Sequence, residues 1–584
     1  MSLKDNLPPN EVKRLFTPYW ASPERKRGFV VLAILVAVTL ATGGMVAWYS
    51  GFQKEFYDAI EKRDAAVFWR LSATMIGAAV VMAFVGAFEV WLRQWLEIHW
   101  RKALTHHLVQ RWLSDNAFYR LERRQSSDNA DQRISEDAKL FVENSLELVM
   151  SFVGTMVVVL VMAVVLWTAA TPLVVGPITI HGYLFWVAIL FGVTNVASVH
   201  WAGHRLAPLS MEQQRREADF RFTMSQQREA AEQIALYRGS DVEKHRLGSL
   251  FELVVFNWSL LMTNFKRMNT VQKLMNTVMA LIPIYALAPK IFAGEATLGT
   301  MMQSQAAFLT VAAGVSWFST SYEKLVLWSS VTRRLIGLNR SIDEGEVQEI
   351  QLQASSDGRV SVRDLTLRLP NGQQLAQIGD WEFGAGQRWI VRGPSGVGKS
   401  TLLRAVAGIW PHGDGAISMP AHCTMLFLPQ KSYIPTGTLK EALCYPASAA
   451  DHDDEACRMA LRESRLPQLE GLLGDVSRWQ HRLSGGEQQR LAIARALLAK
   501  PDFLFMDEAT SALDEDTEAA LYELLASRLK STTIVSVAHH SALKKYHDHA
   551  LELRSSSRAV QTELPREATT TPPPFSPAAL QLES

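Results

Sequence analysis

Cysteine is scarce in this sequence, and the few cysteines form no metal-binding or disulfide pattern. Cys423, Cys444 and Cys457 all lie in the second half of the chain, without C-x-x-C spacing. Reduced, structural thiols in a cytosolic domain are therefore expected, rather than a disulfide-stabilised secreted fold. His547 and His549 are close enough in sequence to suggest a metal site, but ordinary surface histidines are the preferred interpretation.

Net charge and targeting signals are also lacking. The formal net charge is +1 over 584 residues, which argues against a nucleic-acid-binding protein because such proteins are basic overall or on one face. Residues 1–27 are polar, and the first apolar run starts too late and is too long for a secretory signal peptide. We therefore expect no nucleic-acid partner and no cleaved leader.

The first half of the chain is rich in long apolar runs, which lie at about 28–49, 68–98, 140–170, 183–202, 271–291 and 300–328. Each run reaches the ~20 residues that a helix needs to cross a bilayer, and a buried soluble core would hardly supply six of them. The fifth is the least regular because Pro283 and Pro289 interrupt it, although membrane helices tolerate proline. The sequence therefore predicts a six-span, multi-pass transmembrane domain.

Lysine and arginine indicate how these spans are oriented. They are frequent between the second and third runs and between the fourth and fifth, and absent from Thr171–Gly182. The positive-inside rule then predicts that the N-terminus, both long loops and the second half are cytoplasmic.

Glu11–Trp20 is amphipathic and predicts a helix at the membrane surface, with a disordered lead as the alternative. Met211–Arg238 is rich in helix formers and is either a coupling helix that carries nucleotide-driven motion or a charged, solvated face.

The second half contains a phosphate-binding pattern. Gly393-Pro-Ser-Gly-Val-Gly-Lys-Ser400 fits G-x-x-x-x-G-K-[ST], with a strand-like run before it and a helical run after it. The glycines let backbone N–H groups point at phosphates, and the helix N-terminus adds partial positive charge. Lys399 would reach the β- and γ-phosphates, and Ser400 would hold Mg²⁺.

Further motifs follow at intervals along the chain. They are Gln430 after a strand-like run, Leu483-Ser-Gly-Gly-Glu-Gln-Gln-Arg490, Phe503-Leu-Phe-Met-Asp-Glu508, Ser511-Ala-Leu-Asp514, and His539 after the run 533–538. With these motifs the second half resembles the α/β P-loop ATPase domain of ABC transporters. The whole chain resembles a half-transporter of that family, in which an exporter-like helical transmembrane domain precedes the ATPase domain.

The resemblance implies a site for ATP and Mg²⁺ and a role for each motif residue. Glu508 would polarise the attacking water, with Lys399 and His539 as the other catalytic groups and His540 as the alternative to His539. Ser400, Gln430 and Asp507 would serve the metal. The nucleotide-binding residues would be Gly393, Pro394, Ser395, Gly396, Val397, Gly398, Lys399, Ser400, Thr401 and Gln430, with Ser484, Gly485, Gly486 and Glu487 from the signature motif.

Family geometry implies that the signature residues close on the ATP of a second copy, so a homodimer or a pair with a similar half-transporter is expected. Most of these ATPases stack adenine on an aromatic residue before the phosphate loop. The corresponding segment, Leu365–Gly372, has none. Arg368 is the candidate platform, as a cation plane.

Composition predicts the domain boundaries. We expect an N-terminal interfacial segment at 1–27, the transmembrane domain with cytoplasmic helical extensions at 28–336, and an acidic, polar linker at 337–358. The ATPase domain would span 359–553. The remaining 554–584 contain a run of threonine and proline and predict a disordered tail.

The membrane half resembles a narrower group. Asn129-Ala-Asp-Gln-Arg-Ile134, with Asp137 after it, is similar to a motif of peroxisomal fatty acyl-CoA transporters and of bacterial BacA/SbmA-like transporters, although Ala130 replaces their proline. Phe56–Ala59 and Ala231–Tyr237 are similar too. The resemblance implies an ATP-driven importer of large hydrophilic cargo, such as antimicrobial-type peptides, cobalamin or bleomycin, in the lipid of the bacterial inner membrane. The alternatives are a lipid or acyl-CoA transporter and an ATPase that gates a channel.

The second apolar run carries Glu89, Arg93 and Glu97, which are four residues apart and share one helix face. Charges at membrane depth usually face an internal cavity. Glu89 lies deepest, and two interpretations stay open. It is either a cavity-lining carboxylate that meets a cationic peptide or water, or half of a Glu89–Arg93 pair that only fixes helix packing.

Overall fold

A computed structural model of the chain describes residues 8–124, 129–169, 173–175, 178–345, 348–538, 540–554 and 557–564. The chain divides into two units, Met1–Glu344 and Gly345–Ser584. The first is helical, and the second combines helices with a mixed β-sheet. The predicted order, a helical domain followed by an α/β domain, is confirmed.

The described part of the first unit is mostly helical. Its helices are α1 (Pro9–Trp20), α2 (Arg25–Glu61), α3 (Ala65–Leu113), α4 (Ala117–Arg124), α5 (Ala130–Gln132), α6 (Ala138–Ala169), α7 (Tyr183–Gly203), α8 (Leu206–Glu229), α9 (Ala231–Leu236), α10 (Ser240–Phe292), α11 (Leu298–Val315) and α12 (Trp317–Asp343). A small antiparallel hairpin, β1 (Leu173–Val175) with β2 (Ile178–Ile180), lies between α6 and α7.

Five helical stretches of the described chain are long and apolar enough to cross a membrane: Arg25–Glu61, Ala65–Arg124, Ala130–Thr168, Tyr183–Gly203 and Ser240–Phe292. They contain the first, second, fourth and fifth predicted spans and the third, 140–170, as far as residue 168. The sixth predicted span, 300–328, differs because the helix breaks at Ser316 and the run is divided between α11 and α12. Two glutamines, Gln303 and Gln305, also interrupt the apolar run within α11.

The N-terminal helix α1 packs against the first unit through its apolar face. Leu15 and Tyr19 are buried in a cluster that includes Trp100 and Phe141. On its polar face, Glu11 pairs with Arg340 of α12 at 2.7 Å. The helical interpretation of Glu11–Trp20 is confirmed, and its place at a membrane surface stays a prediction.

The end of α2 caps the start of α11. The backbone N–H of Leu298 donates to Glu61 Oε2 at 2.8 Å, and that of Gly299 donates to Asp58 Oδ1 at 3.0 Å. Carboxylates satisfy the unpaired N–H groups of a helix N-terminus and interact favourably with its dipole. Asp58 belongs to the Phe56–Ala59 segment, so this segment has a capping role.

Replacing Gly299 with alanine is expected to destabilise the first unit. A Cβ at this position would overlap the carbonyl oxygen of Lys54 and the carboxylate of Asp58, so α2 and α11 would have to separate. Overpacking of this kind costs about 1–3 kcal/mol and would lower the thermal unfolding midpoint of the purified protein. Gly44→Ala in α2, which meets open space, is the matched control and should not lower the unfolding midpoint. Equal destabilisation by both changes would contradict the capping contact.

The second unit is built on an 11-stranded sheet of the described residues, with strand order β3-β8-β4-β5-β15-β14-β7-β13-β12-β9 and β6 paired with β4. Its strands are β3 (Gln351–Ser355), β4 (Arg359–Arg368), β5 (Gln374–Ile378), β6 (Trp381–Gly384), β7 (Arg388–Arg392), β8 (Gly413–Pro420), β9 (Met425–Leu428), β12 (Phe503–Asp507), β13 (Thr533–Val537), β14 (His549–Arg554) and β15 (Ser557–Glu563). A separate pair is formed by β10 (Gly437–Thr438) and β11 (Val476–Ser477).

The helices of this unit are α13 (Lys399–Val406), α14 (Leu439–Cys444), α15 (Asp454–Glu463), α16 (Trp479–Arg482), α17 (Gly485–Ala499) and α18 (Glu515–Arg528). β9, β12, β13, β7 and β14 run parallel to one another. Their carboxyl ends therefore meet at one edge of the sheet. In such sheets this edge is where ligands bind.

The two predicted boundaries of the second unit need correction. The predicted linker 337–358 contains the end of α12, where Leu338 and Ile342 are buried, and all of β3, which pairs in parallel with β8. The predicted tail from 554 contains β15, which pairs with β14 and β5. Polar composition suggested irregular chain, but pairing with distant strands overrides it. Residues 565–584 lie outside the described chain.

Candidate functional site

The phosphate loop joins β7 to α13. Gly396 and Gly398 have φ values of +79° and +105°, which residues with a side chain rarely adopt. A Cβ at Gly398 would also lie 2.6 Å from Leu375 Cδ2. The glycines are therefore needed for the curled backbone, as the sequence pattern predicts, and also for close packing against Leu375.

Lys399 opens α13 and is 6% exposed. Its Nζ donates to the backbone oxygens of Gly393 at 2.8 Å and Pro394 at 3.2 Å. Burial lowers the pKa of Lys399, while the carboxylates of Glu508 and Asp507 oppose this shift. The loop therefore holds an ammonium group close to its own backbone, where it can pair with an anionic phosphate.

Ser400 and Asp507 are in direct contact. Ser400 Oγ donates to Asp507 Oδ1 at 2.9 Å. Burial raises the pKa of Asp507, and the hydrogen bond from Ser400 opposes this shift. A hydroxyl and a carboxylate are hard oxygen ligands of the kind that Mg²⁺ prefers, so these two residues fit the metal that the motifs imply.

Gln430 and Glu508 form the other side of the site. Gln430 Nε2 donates to Glu508 Oε2 at 2.9 Å. Glu508 has φ of +51°, a strained conformation that costs about 1–3 kcal/mol and clusters at functional sites. The structure thus brings Gln430, Glu508, Asp507, Ser400 and Lys399 together. His539 lies outside the described residues, and its contact with a γ-phosphate stays a prediction.

The signature motif begins α17 with a capping box. Ser484 Oγ and the Ser484 N–H both donate to Glu487 Oε2 at 2.9 Å, and the backbone hydrogen bond is the main reason that the pKa of Glu487 is lowered. Gly485 and Gly486 form the first turn, where helix N–H groups favour an anion. The cap explains Glu487 structurally, and its contact with nucleotide stays a prediction.

Arg495 on α17 was missed by the sequence analysis. It is 7% exposed; its Nε and Nη2 donate to the Ala442 oxygen at 3.0 and 2.7 Å, and its Nη1 donates to the Tyr433 oxygen at 2.8 Å. Burial lowers the pKa of Arg495 to about 10. It therefore ties α17 to the segment that follows Gln430. The sequence pattern that could have indicated this role is a single arginine within the otherwise apolar run Leu491–Leu498.

Two side chains differ from their sequence interpretations or restrict them. His547 is buried rather than on the surface, with contacts to the Leu543 oxygen and Ser536 Oγ, and burial lowers its pKa to about 4. In the described residues no group of three or more His, Cys, Asp or Glu could hold a metal. Arg368, the candidate adenine platform, pairs with Asp414 at 2.6 Å.

The cysteines agree with their interpretation as free structural thiols. Cys444 and Cys457 are both buried, with 3.8 Å between their Sγ atoms. Burial raises the pKa of Cys444 to about 12, which keeps this thiol protonated and unreactive at neutral pH.

The polar residues of the first unit also have defined partners. Thr39 Oγ1 of α2 donates to Glu89 Oε1 at 3.1 Å, whereas Arg93 lies 3.6 Å from Glu97. Asp137, next to the Asn129–Ile134 segment, accepts two hydrogen bonds from Arg334 at 2.6 and 2.7 Å. Asp137, just after this segment, is therefore tied to α12 by a two-point ion pair.

Comparisons with known proteins agree with the division into a helical unit and an α/β unit. Residues 14–292 match a family described as "ABC transporter transmembrane region 2", and residues 377–511 match one described as "ABC transporter". An uncharacterised ABC transporter ATP-binding protein of Haemophilus influenzae is 31% identical over 530 residues, 90% of this chain and 89% of that protein. The inner membrane ABC transporter ATP-binding protein YddA of Escherichia coli is 29% identical over 532 residues, 90% of this chain and 94% of that protein. The human lysosomal cobalamin transporter ABCD4 is 26% identical over 606 residues, 94% of each chain.

Proposed function

This chain belongs to the ABC transporter family, as a membrane region fused to an ATPase domain, and on that premise we propose that it imports large hydrophilic compounds across the bacterial inner membrane. Its cargo would be antimicrobial-type peptides, with cobalamin-type and bleomycin-type molecules as further classes, as in the BacA/SbmA-like group. ATP hydrolysis coupled to transport follows from the family itself.

The observation that carries the cargo proposal is Glu89. It lies in a helical stretch apolar enough to cross a membrane, and it accepts a hydrogen bond from Thr39 of the neighbouring helix α2. Arg93 pairs with Glu97, which weakens the interpretation of Glu89 as a packing partner of Arg93. A carboxylate at this depth favours a cationic or hydrogen-bonding cargo over an alkyl chain.

The names of two relatives agree with this proposal. The Escherichia coli relative is named as an inner membrane protein, and the human relative is named as a cobalamin transporter. A lipid or acyl-CoA transporter stays the second candidate, because Asn129–Ile134 is similar to a motif of peroxisomal fatty acyl-CoA transporters.

The proposed ATP site is shared between two copies of the chain. In each half-site Lys399 would neutralise phosphate charge, and Glu508 would take a proton from the attacking water at a carboxylate oxygen. Mg²⁺, held by Ser400 and Asp507 with Gln430 close by, would supply charge compensation at the phosphates. Ser484, Gly485 and Gly486 of the other copy would complete the site.

Cargo stimulation of ATP turnover tests the proposal. In proteoliposomes a cationic peptide should raise the ATPase rate, and Glu89→Gln should increase the peptide concentration needed by roughly tenfold or more, because a hydrogen bond to a charged group contributes about 1.5–3 kcal/mol. Glu252→Gln, at an exposed position on α10, is the matched control.

Two results would contradict the proposal and favour another function. Stimulation by acyl-CoA but not by peptide or cobalamin would favour the lipid transporter. Cargo uptake that continues undiminished when hydrolysis is stopped would favour a gated channel instead.

A further inference from the structure

One buried carboxylate connects two loops of the ATPase domain. Glu518 on α18 is 4% exposed. Its Oε1 accepts a hydrogen bond from Thr510 Oγ1 at 2.6 Å, and its Oε2 accepts one from His540 Nδ1 at 2.9 Å. A buried carboxylate is stable only when it is paired and hydrogen-bonded, and here the two partners come from the ends of two different strands.

The positions of these partners relate the carboxylate to the reaction. Thr510 comes shortly after Glu508, and the Ser511 N–H donates to the Glu508 oxygen at 3.1 Å. His540 directly follows the predicted switch residue His539. The Glu518 carboxylate therefore joins the segment that carries the proposed base to the segment that carries the proposed γ-phosphate sensor.

The same loop is held from its other side by the signature helix. The Ala512 N–H donates to Gln489 Oε1 on α17 at 2.9 Å. Thr510–Ala512 thus lies between α17 and the Glu518–His540 pair. A change at His540 can therefore reach Glu508 through Glu518 and Thr510, and then along the chain to Ser511, whose N–H bonds the Glu508 backbone oxygen.

The charge of His540 strengthens this connection. Glu518, and secondarily Glu515, both on α18, raise the pKa of His540, and these are the charged groups of the described chain that act on it most strongly. Protonated His540 is therefore favoured when the domain is folded. The ion pair between His540 and Glu518 is fully formed below the ordinary histidine pKa near 6.5. It is lost as the pH rises through the raised pKa of His540.

We propose that His540 and Glu518 are positioning residues for ATP hydrolysis, which hold the Thr510–Ala512 loop and thereby Glu508 in the geometry for water activation. Neither residue needs to touch the nucleotide. The inference rests on the proposed role of Glu508 as the base.

The test is the pH profile of ATP turnover by the full-length protein. His540→Gln removes the titrating group, and its kcat should fall by roughly tenfold, since small misplacements of catalytic groups have effects of this order or larger. Its KM for ATP should stay within about twofold because nucleotide contacts are untouched. The decline of kcat on the alkaline side should flatten. His422→Gln, at an exposed position after β8, should keep the unchanged profile.

A second variant distinguishes loss of this loop contact from a general loss of folding. Thr510→Val removes the hydroxyl but keeps the shape of the side chain, and the Thr510→Val/His540→Gln double variant should be no slower than the slower single variant. The proposal would be overturned if the double variant lowered kcat by the product of the two single effects. It would also be overturned if His540→Gln left kcat and its pH profile unchanged. If Glu508→Gln kept hydrolysing ATP, the assigned base would be wrong, and the His540 profile would still report separately on the loop contact.

Discussion

Replacing Glu508 with glutamine is expected to lower ATP turnover by roughly 100-fold or more, because a positioned general base contributes about 10²–10⁴-fold. Glutamine keeps the size of the side chain and can still interact with Gln430, which now lies 2.9 Å from the carboxylate. ATP binding should therefore remain. The measurements are phosphate release and binding of a fluorescent ATP analogue by the purified protein.

The control for this change is Glu523→Gln on α18, which removes the same charge from an exposed position. Its turnover should stay within about twofold, since surface substitutions away from a site have small effects. In sealed vesicles, Glu508→Gln should also stop cargo uptake. Turnover near the unaltered rate in Glu508→Gln would remove Glu508 from the chemistry.

Replacing Arg495 with methionine is expected to destabilise the ATPase domain by about 2–4 kcal/mol. Methionine fills much of the same space but leaves the carbonyl oxygens of Ala442 and Tyr433 without their donor, and each unsatisfied buried group costs about 1–3 kcal/mol. Part of the loss is offset because the buried guanidinium is itself costly, as its pKa of about 10 indicates.

Two measurements separate this effect from a general loss of charge. The thermal midpoint of the ATPase domain should fall, and amide hydrogen exchange should speed up between Gln430 and Cys444, because Arg495 no longer holds that segment. Arg458→Met, which breaks only half-exposed ion pairs on α15, should change stability by less than about 1 kcal/mol. Similar losses in both variants would mean that Arg495 acts only as a surface charge.

The parts of the site that sequence predicts well are those written in contiguous residues. The phosphate loop needs its glycines, lysine and serine in a fixed local order, so Gly393–Ser400 could be assigned without a structure. The contact of Ser400 with Asp507 follows once the start of α13 and the end of β12 are placed at the same edge of the sheet. Local patterns of this kind are independent of the rest of the fold.

The parts that sequence did not predict depend on distant pairing. Arg495 contacts residues more than fifty positions away, and no pattern in α17 marks its partners. β3 reads as linker because it becomes a strand only through pairing with β8. The break at Ser316 is hidden by the apolar residues on both sides of it, since hydropathy reports composition and not helix continuity.

The length of α10 has a mechanical consequence. Its 53 residues at 1.5 Å each make a rod of about 80 Å, whereas the hydrocarbon core of a bilayer is about 30 Å thick. More than half of the rod must therefore stand clear of the hydrocarbon. A tilt of about ten degrees around its middle would move each end by roughly 7 Å. Pro283 and Pro289 lie near one end, so bending is concentrated there and the remainder acts as a stiff lever arm.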